Sequence, residues 1–165
     1  LYFNDGQNIF EGWKSAFGKS WEVHNSMKAL SMNHGFDEFI LIGIEHGKAR
    51  RKGEYLPLHK SGAFSEEGNI YTDFIANDLK AFVDKKLRTL AVREHNAIIG
   101  SSLGGINSFY TAFKHQDVFS KSGVFSPSLW ATPHIYTLIK KVGKHYPTRF
   151  FYHLVPRKEF PHSTM

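Results

Sequence analysis

Short apolar runs alternate with longer amphipathic stretches along this chain, and that rhythm predicts its elements. Leu1 to Asn4 reads as the end of a strand, closed by an Asp5-Gly6 turn. A polar, turn-rich stretch carrying Trp13 and Trp21 follows, and a helix is predicted from Trp21 to Met32 with Val23, Met27 and Leu30 on one side. Glu38 to Ile44 contains a continuous apolar run, the pattern of a parallel strand covered on both faces. Glu45 to Glu67 reads as a long polar connection punctuated by Gly47, Gly53, Pro57 and Gly62, of a length that usually carries function or moves. Ile70 to Leu87 is a strongly amphipathic helix: Ile70, Phe74, Ile75, Leu79, Phe82, Val83 and Leu87 recur at helical spacing, opposite Asp73, Asp78, Lys80 and Lys85. A strand at Ala97–Ile99, a helix from Ile106 to Phe113 and a strand at Phe119–Phe125 come next. A loop at Ser126–Trp130, a helix at Ile135–Val142 and a last strand at Arg149–Tyr152 complete the series.

Strands alternating with helices imply an α/β fold, a mostly parallel sheet with helices on both faces. Ligands of such sheets bind beyond the carboxyl ends of the strands. Asp5-Gly6-Gln7, Glu45-His46, Ser102 and Ser126-Pro127 all fall at those ends and should converge on one crevice. No internal repeat and no low-complexity tract interrupts the pattern.

Composition narrows this picture. At 165 residues the chain suits one domain, and 41% hydrophobic against 22% charged residues is a globular balance. Fifteen phenylalanines and seven tyrosines point to a thick core or an aromatic-lined cleft. The absence of cysteine excludes a disulfide framework and a thiolate metal site, and leans towards a reducing compartment. No apolar run reaches the ~18 residues of a membrane helix. The formal charge of +6 raises the question of nucleic acid, but the basic residues are scattered. Their only dense knot is Lys48 to Lys52, and no zinc-finger spacing or aromatic RNA-binding signature accompanies it. That knot could instead attract an anionic substrate. No HExxH or paired-histidine spacing argues for a metal, and no cofactor is implied.

The stretch Asn96 to Ile106 holds the chemistry. Its apolar run breaks directly into Gly100-Ser-Ser-Leu-Gly-Gly105 and then into a helix, the context in which Gly-x-Ser-x-Gly forms a nucleophile elbow around Ser102. A sharp, strained turn brings backbone so close that a Cβ at either flank would clash, which explains Gly100 and Gly104. A plain Gly/Ser turn is the competing reading. A phosphate-binding loop is a weaker rival, because the lysine that should follow the last glycine is missing and Ile106 and Asn107 stand there.

Several patches in order resemble the esterase family of α/β-hydrolases that groups enterochelin esterases, esterase D-type enzymes, feruloyl esterase domains and the antigen 85 mycolyltransferases. They are Leu1-Tyr-Phe-Asn-Asp-Gly-Gln7, Arg51-Lys-Gly-Glu-Tyr-Leu-Pro57, and Tyr71-Thr-Asp-Phe-Ile75 with Asp78-Leu79. The strongest are Ile99 to Gly105 and Val118 to Trp130. The resemblance implies a serine carboxylic-ester hydrolase acting on a small-molecule ester, with Ser102 as nucleophile and the backbone amides of Leu103 and Gln7 as oxyanion hole. Asp5, Arg51, Tyr71 and Trp130 are the implied substrate-binding residues. Arg149 to Glu159 can be laid on the family's strand and turn ending in the triad acid, which makes Glu159 that acid. Pro156 and Arg157 replace the turn's glycines.

The base is the gap. In this fold the order is serine, acid, histidine, with a strand and helix between the last two. Of ten histidines only His162 follows Glu159, three positions on, and His46 and His134 lie at predicted crevice ends. Residue 1 opens mid-strand without a methionine, and periodicity is lost after Phe151, which makes 149–165 an atypical tail. The expectation is therefore one α/β-hydrolase domain over 1–165, truncated, and lacking the C-terminal histidine region. A catalytically incomplete remnant of the same fold and an acyltransferase stay open as alternatives.

Overall fold

A computed structural model describes residues 1–10, 12, 15–16, 18–34 and 38–154. Five strands form one all-parallel sheet in the order β2-β1-β3-β4-β5: β1 is Tyr2–Asn4, β2 Ile42–Ile44, β3 Ala97–Ser101, β4 Lys121–Phe125 and β5 Arg149–His153. All five carboxyl ends therefore lie along one edge. Register places Phe3, Gly43, Ile99, Gly123 and Phe151 in a single row on one face, and Tyr2, Ile42, Ile98, Ser122 and Phe150 on the other.

The chain leaves β1 in one direction to form β2, and later in the opposite direction to form β3 on β1's other side. Right-handed crossovers then put the connecting helices on opposite faces. Helix α1 (Val23–His34) belongs to the Phe3 face and packs thinly, with only Val23, Met27 and Ser31 half-buried. The other face carries α3 (Glu66–Phe74), α4 (Lys80–Lys86), α5 (Leu103–Lys114) and α6 (Ile135–Val142). Tyr2, Ile98 and Phe119 bury themselves there against Ile75, Ala76 and Val83, and Phe109 and Val124 against Ile135 and Ile139. Among the described residues, no helix is long and apolar enough to cross a membrane.

Two expectations change. The connection from Glu45 to Glu67 is not a plain loop: Lys48–Arg50 makes a 3-10 turn and Arg51–Tyr55 a short helix, α2. The cause is the burial of Glu54, Tyr55, Leu56 and Leu58 within an otherwise polar sequence, with Glu54 accepting the Gly47 N–H at 2.8 Å. The helix expected over Ile70–Leu87 starts earlier, capped by the Ser65 hydroxyl on the Gly68 N–H, and passes through a π turn at Ile75–Leu79 before α4. The wider turn shifts the apolar stripe, so that Ile75, Ala76 and Val83 are buried while Ile70 and Phe82 are about 60% exposed. Lys80, expected on the polar side, is 7% exposed and pairs with Asp84 and the Ala91 carbonyl.

Candidate active site

The reversal of direction between β1 and β3 defines a crevice at their carboxyl ends, where ligands of open parallel sheets bind. Two tight turns meet there. From β3 the chain enters α5 through Ser102, whose φ of 58° and ψ of −122° lie in a region that non-glycine residues rarely adopt. Main-chain bonds hold this conformation: the Ser102 N–H donates to the Phe125 carbonyl at 3.0 Å, and the Ser102 carbonyl accepts from Ser128 at 3.1 Å. The glycines are required by contact. A Cβ on Gly100 would lie 2.3 Å from the Gly104 carbonyl oxygen, and one on Gly105 would lie 3.1 Å from that of Phe125. Ser102 is exposed, with its hydroxyl 2.9 Å from that of Ser128. Leu103 opens α5, so its N–H has no acceptor within the helix.

From β1 the chain turns through Asp5, itself left-handed at φ 57° and ψ 48°, into a 3-10 turn at Gly6–Asn8. Gly6 sits against β2 so tightly that a Cβ would fall 2.4 Å from Gly43 and Ile44 backbone atoms. Gln7 is the middle residue of this turn, half-buried, and no acceptor is assigned to its N–H among the described residues. Its side-chain Oε1 is buried, with no hydrogen-bond partner among the described residues. Asn4 and Asp5 approach the first turn of α5, since a Cβ on Gly104 would be 3.0 Å from Asp5 Oδ2 and 3.2 Å from Asn4 Cβ. The two turns therefore face one another.

Side chains from distant elements fix the Asp5 turn. Arg51 Nε donates to Asp5 Oδ1 at 2.7 Å and Nη2 to Oδ2 at 2.8 Å, and Asp5 is only 3% exposed. Such a two-point, charge-assisted pair is geometrically exacting. The carboxylate holds the Arg51 guanidinium more firmly protonated than usual, through the hydrogen bond first and outweighing the opposing effect of burial. Tyr55 accepts the Asp5 N–H at 2.9 Å, and the Arg51 guanidinium lies 5.0 Å above the Tyr55 ring. Burial pushes the Tyr55 and Tyr71 phenols well above their ordinary value, so both stay neutral hydrogen-bonding groups. His46 Nε2 stands 3.9 Å from Asp5 Oδ1.

Beneath both turns runs a buried polar chain. Asn4 Nδ2 donates to Asn107 Oδ1 (3.0 Å) and to Ser108 Oγ (2.9 Å), while its Oδ1 accepts from the Tyr71 hydroxyl at 3.3 Å. Asn107 continues to Thr72 and accepts from Thr111. Asn4, Asn107, Ser108, Thr72 and Thr111 are all fully buried, and the bonds tie β1 to both α3 and α5, and α5 to α3. An isolated pair of this kind would be costly, but a satisfied network specifies one arrangement of the elements.

The sequence-derived site residues therefore divide. Ser102, Leu103, Gln7 and Asp5 are brought together, with Arg51 and Tyr71 behind them as partners of Asp5 and Asn4. Arg51 is thus engaged by a buried carboxylate of the protein itself, and Asp5 is covered. Trp130 is 75% exposed in the 3-10 turn Leu129–Ala131 that follows the Ser128 loop. Glu159 and His162 lie outside the described residues. Sequence reading missed Ser128, Asn4 and Tyr55, and also His153, which ends β5 with its carbonyl accepting from the Ser126 N–H at 2.6 Å. A cavity of about 470 Å³ opens on the α1 face, lined by Phe3, Trp21, Ile99, Phe125 and His153, and reaches Ser101 rather than Ser102. Among the described residues no cluster of histidine and carboxylate side chains is arranged to hold a metal ion.

With this geometry in place, the chain can be compared with known proteins. The model of the family described as "Putative esterase" matches residues 1–151, and the chain belongs to that family. An uncharacterized protein, YbbA of Bacillus subtilis, is 25% identical over 136 residues, 79% of this chain and 50% of the relative. An IroE-like serine hydrolase from Shewanella oneidensis has a similar structure, with a TM-score of 0.70 and 23% identity, over 92% of this chain and 48% of that one. The siderophore hydrolase EstA from Aspergillus nidulans superposes with a TM-score of 0.66 and 19% identity over 92% of this chain and 55% of its own. The chain thus spans about half the length of these three relatives. Their fold agrees with the parallel sheet described above.

Proposed function

We propose that this chain carries the nucleophilic half of a serine carboxylic-ester hydrolase, with Ser102 as nucleophile and the amides of Leu103 and Gln7 as oxyanion hole. The observation that supports it most is the exposed Ser102 hydroxyl on a strained turn at the crevice, opposite a second turn whose central amide has no acceptor assigned to it among the described residues. Ser102 Oγ attacks the ester carbonyl carbon as a base takes its proton. The negative charge arrives on the former carbonyl oxygen, between two main-chain N–H groups, each worth on the order of 3 kcal/mol of barrier. Collapse expels the alcohol, and water releases the acyl group from Ser102.

Asp5 and Arg51 act in this scheme by holding the Gln7 turn, and Tyr71 by orienting Asn4. Trp130, exposed in the turn after the Ser128 loop, is the proposed substrate contact at the rim. Glu159 is proposed as the triad acid, and the scheme needs neither metal nor cofactor. Two similar structures bear names of siderophore hydrolases, so siderophore-type esters are the first candidate substrates to assay. The test is labelling of the full-length protein by a fluorophosphonate. Labelling lost in Ser102→Ala is expected, and a full-length protein that resists the probe would refute the assignment.

A further inference from the structure

Ser128 touches the proposed nucleophile directly. Its hydroxyl oxygen is 2.9 Å from Ser102 Oγ, and the residue is 8% exposed. Main chain, not side-chain freedom, sets this contact. Ser128 N–H donates to the Ser102 carbonyl while the Ser102 N–H donates to the Phe125 carbonyl, so the segment from Phe125 to Ser128 grips Ser102 on both sides. That segment is itself stiff: Ser126 holds a φ of 41°, its N–H is bonded to the His153 carbonyl, and Pro127 fixes the next φ.

We propose that Ser128 is a further catalytic residue, whose O–H donates to Ser102 Oγ as that oxygen gives up its proton. The proposal rests on the hydrolase reading, in which Ser102 is the nucleophile. In the resting pair either hydroxyl can donate. Once the Ser102 proton has gone to the base, only Ser128 can, and a hydrogen bond to the charged form favours that form. Burial of Ser128 strengthens the bond by lowering the local dielectric. As the Oγ–carbon bond forms, charge leaves Oγ for the carbonyl oxygen and the Ser128 bond relaxes. It is remade when Ser102 departs from the acyl-enzyme. Ser128 keeps its own proton throughout, so the stoichiometry of hydrolysis is unchanged.

Ser128→Ala removes the hydroxyl and spares the N–H that clamps Ser102. In full-length protein, fluorophosphonate labelling of this variant should slow by about 10- to 100-fold, the range for one hydrogen bond to a charged group. In p-nitrophenyl ester turnover kcat should fall with KM retained, the signature of a contact made in the transition state. The melting temperature should stay at the wild-type value, and Ser128→Thr should recover most of the rate. If Ser128→Ala labels as fast as wild type while Ser102→Ala does not label, the role of Ser128 is refuted and the hydrolase reading stands. A slow Ser128→Ala variant that also melts early and is not recovered by threonine would reduce Ser128 to packing. Wild-type protein that does not label would overturn both readings.

Discussion

The two turns that face each other across the crevice are built by different means. The turn at Ser102 is held by main chain: glycines at 100 and 105 admit neighbouring backbone, and the Phe125 carbonyl and the Ser128 N–H close around it. The turn at Asp5 is held largely by side chains from far along the sequence, Arg51 and Tyr55, with one glycine wedged against β2. Both store a left-handed residue that is not glycine. What differs is where the restoring force comes from, and that difference decides how each turn fails.

Glycine replacements should produce the largest effects. Gly100→Ala and Gly6→Ala each drive a Cβ into backbone at 2.3–2.4 Å, which cannot swing away as a flexible side chain would. Each should cost about 3 kcal/mol in a urea titration and abolish fluorophosphonate labelling. If either variant stays fully stable and labels normally, the corresponding turn is looser than described.

Arg51→Met separates the two turns more sharply. It leaves the buried Asp5 carboxylate without its partner, at a cost of about 2–3 kcal/mol, below the range for a fully enclosed pair because Arg51 keeps some exposure. The double variant Arg51→Met with Asp5→Asn should recover part of that loss, since no stranded charge remains, and a double-mutant cycle reads the recovery. Arg51→Lys should recover less, because an ammonium cannot reproduce the two-point grip. Purely additive effects would mean that the pair does not hold the turn.

Tyr55→Phe is subtler. It deprives the Asp5 N–H of its acceptor and should cost about 1–2 kcal/mol. Its labelling rate should fall more than that of a variant matched in stability but remote from the crevice.

The smallest effect supplies that remote reference. His115, at the far end of α5, is held below its ordinary value of 6.5 by burial, against the pull of its 2.8 Å contact with Asp73. The folded protein then binds fewer protons there than the unfolded chain does. Its contribution is intact above pH 6.5 and is lost as pH falls through the lowered value. His115→Gln should therefore flatten the stability curve below pH 6.5 without selectively affecting either turn. An unchanged slope would show that His115 does not titrate with folding.

The same contrast explains what could be read from the residues. The elbow was legible because its requirements are local: a short apolar run, glycines at fixed offsets and a helix behind them. The alternation of strands and helices was legible for the same reason, through periodicity. The hold on Asp5 was not, because nothing near position 5 announces a partner at 51, and Arg51 read instead as a basic residue facing substrate. Asn4 looked like a strand end. Its side-chain partners Tyr71, Asn107 and Ser108 lie on α3 and α5, and only the fold puts them in reach. The π turn at Ile75–Leu79 escaped because an ordinary helical period fits the apolar residues on either side of it.

The bond from Asn4 to Asn107 spans 103 positions of sequence. Loops of that size close slowly, and contacts of long range form only once most of a topology is in place. Assembly of the crevice is therefore expected late in folding, after the helices have formed. Probe reactivity at Ser102 would then return later in a refolding time course than far-ultraviolet ellipticity, and would vanish earlier when the β1 end loosens.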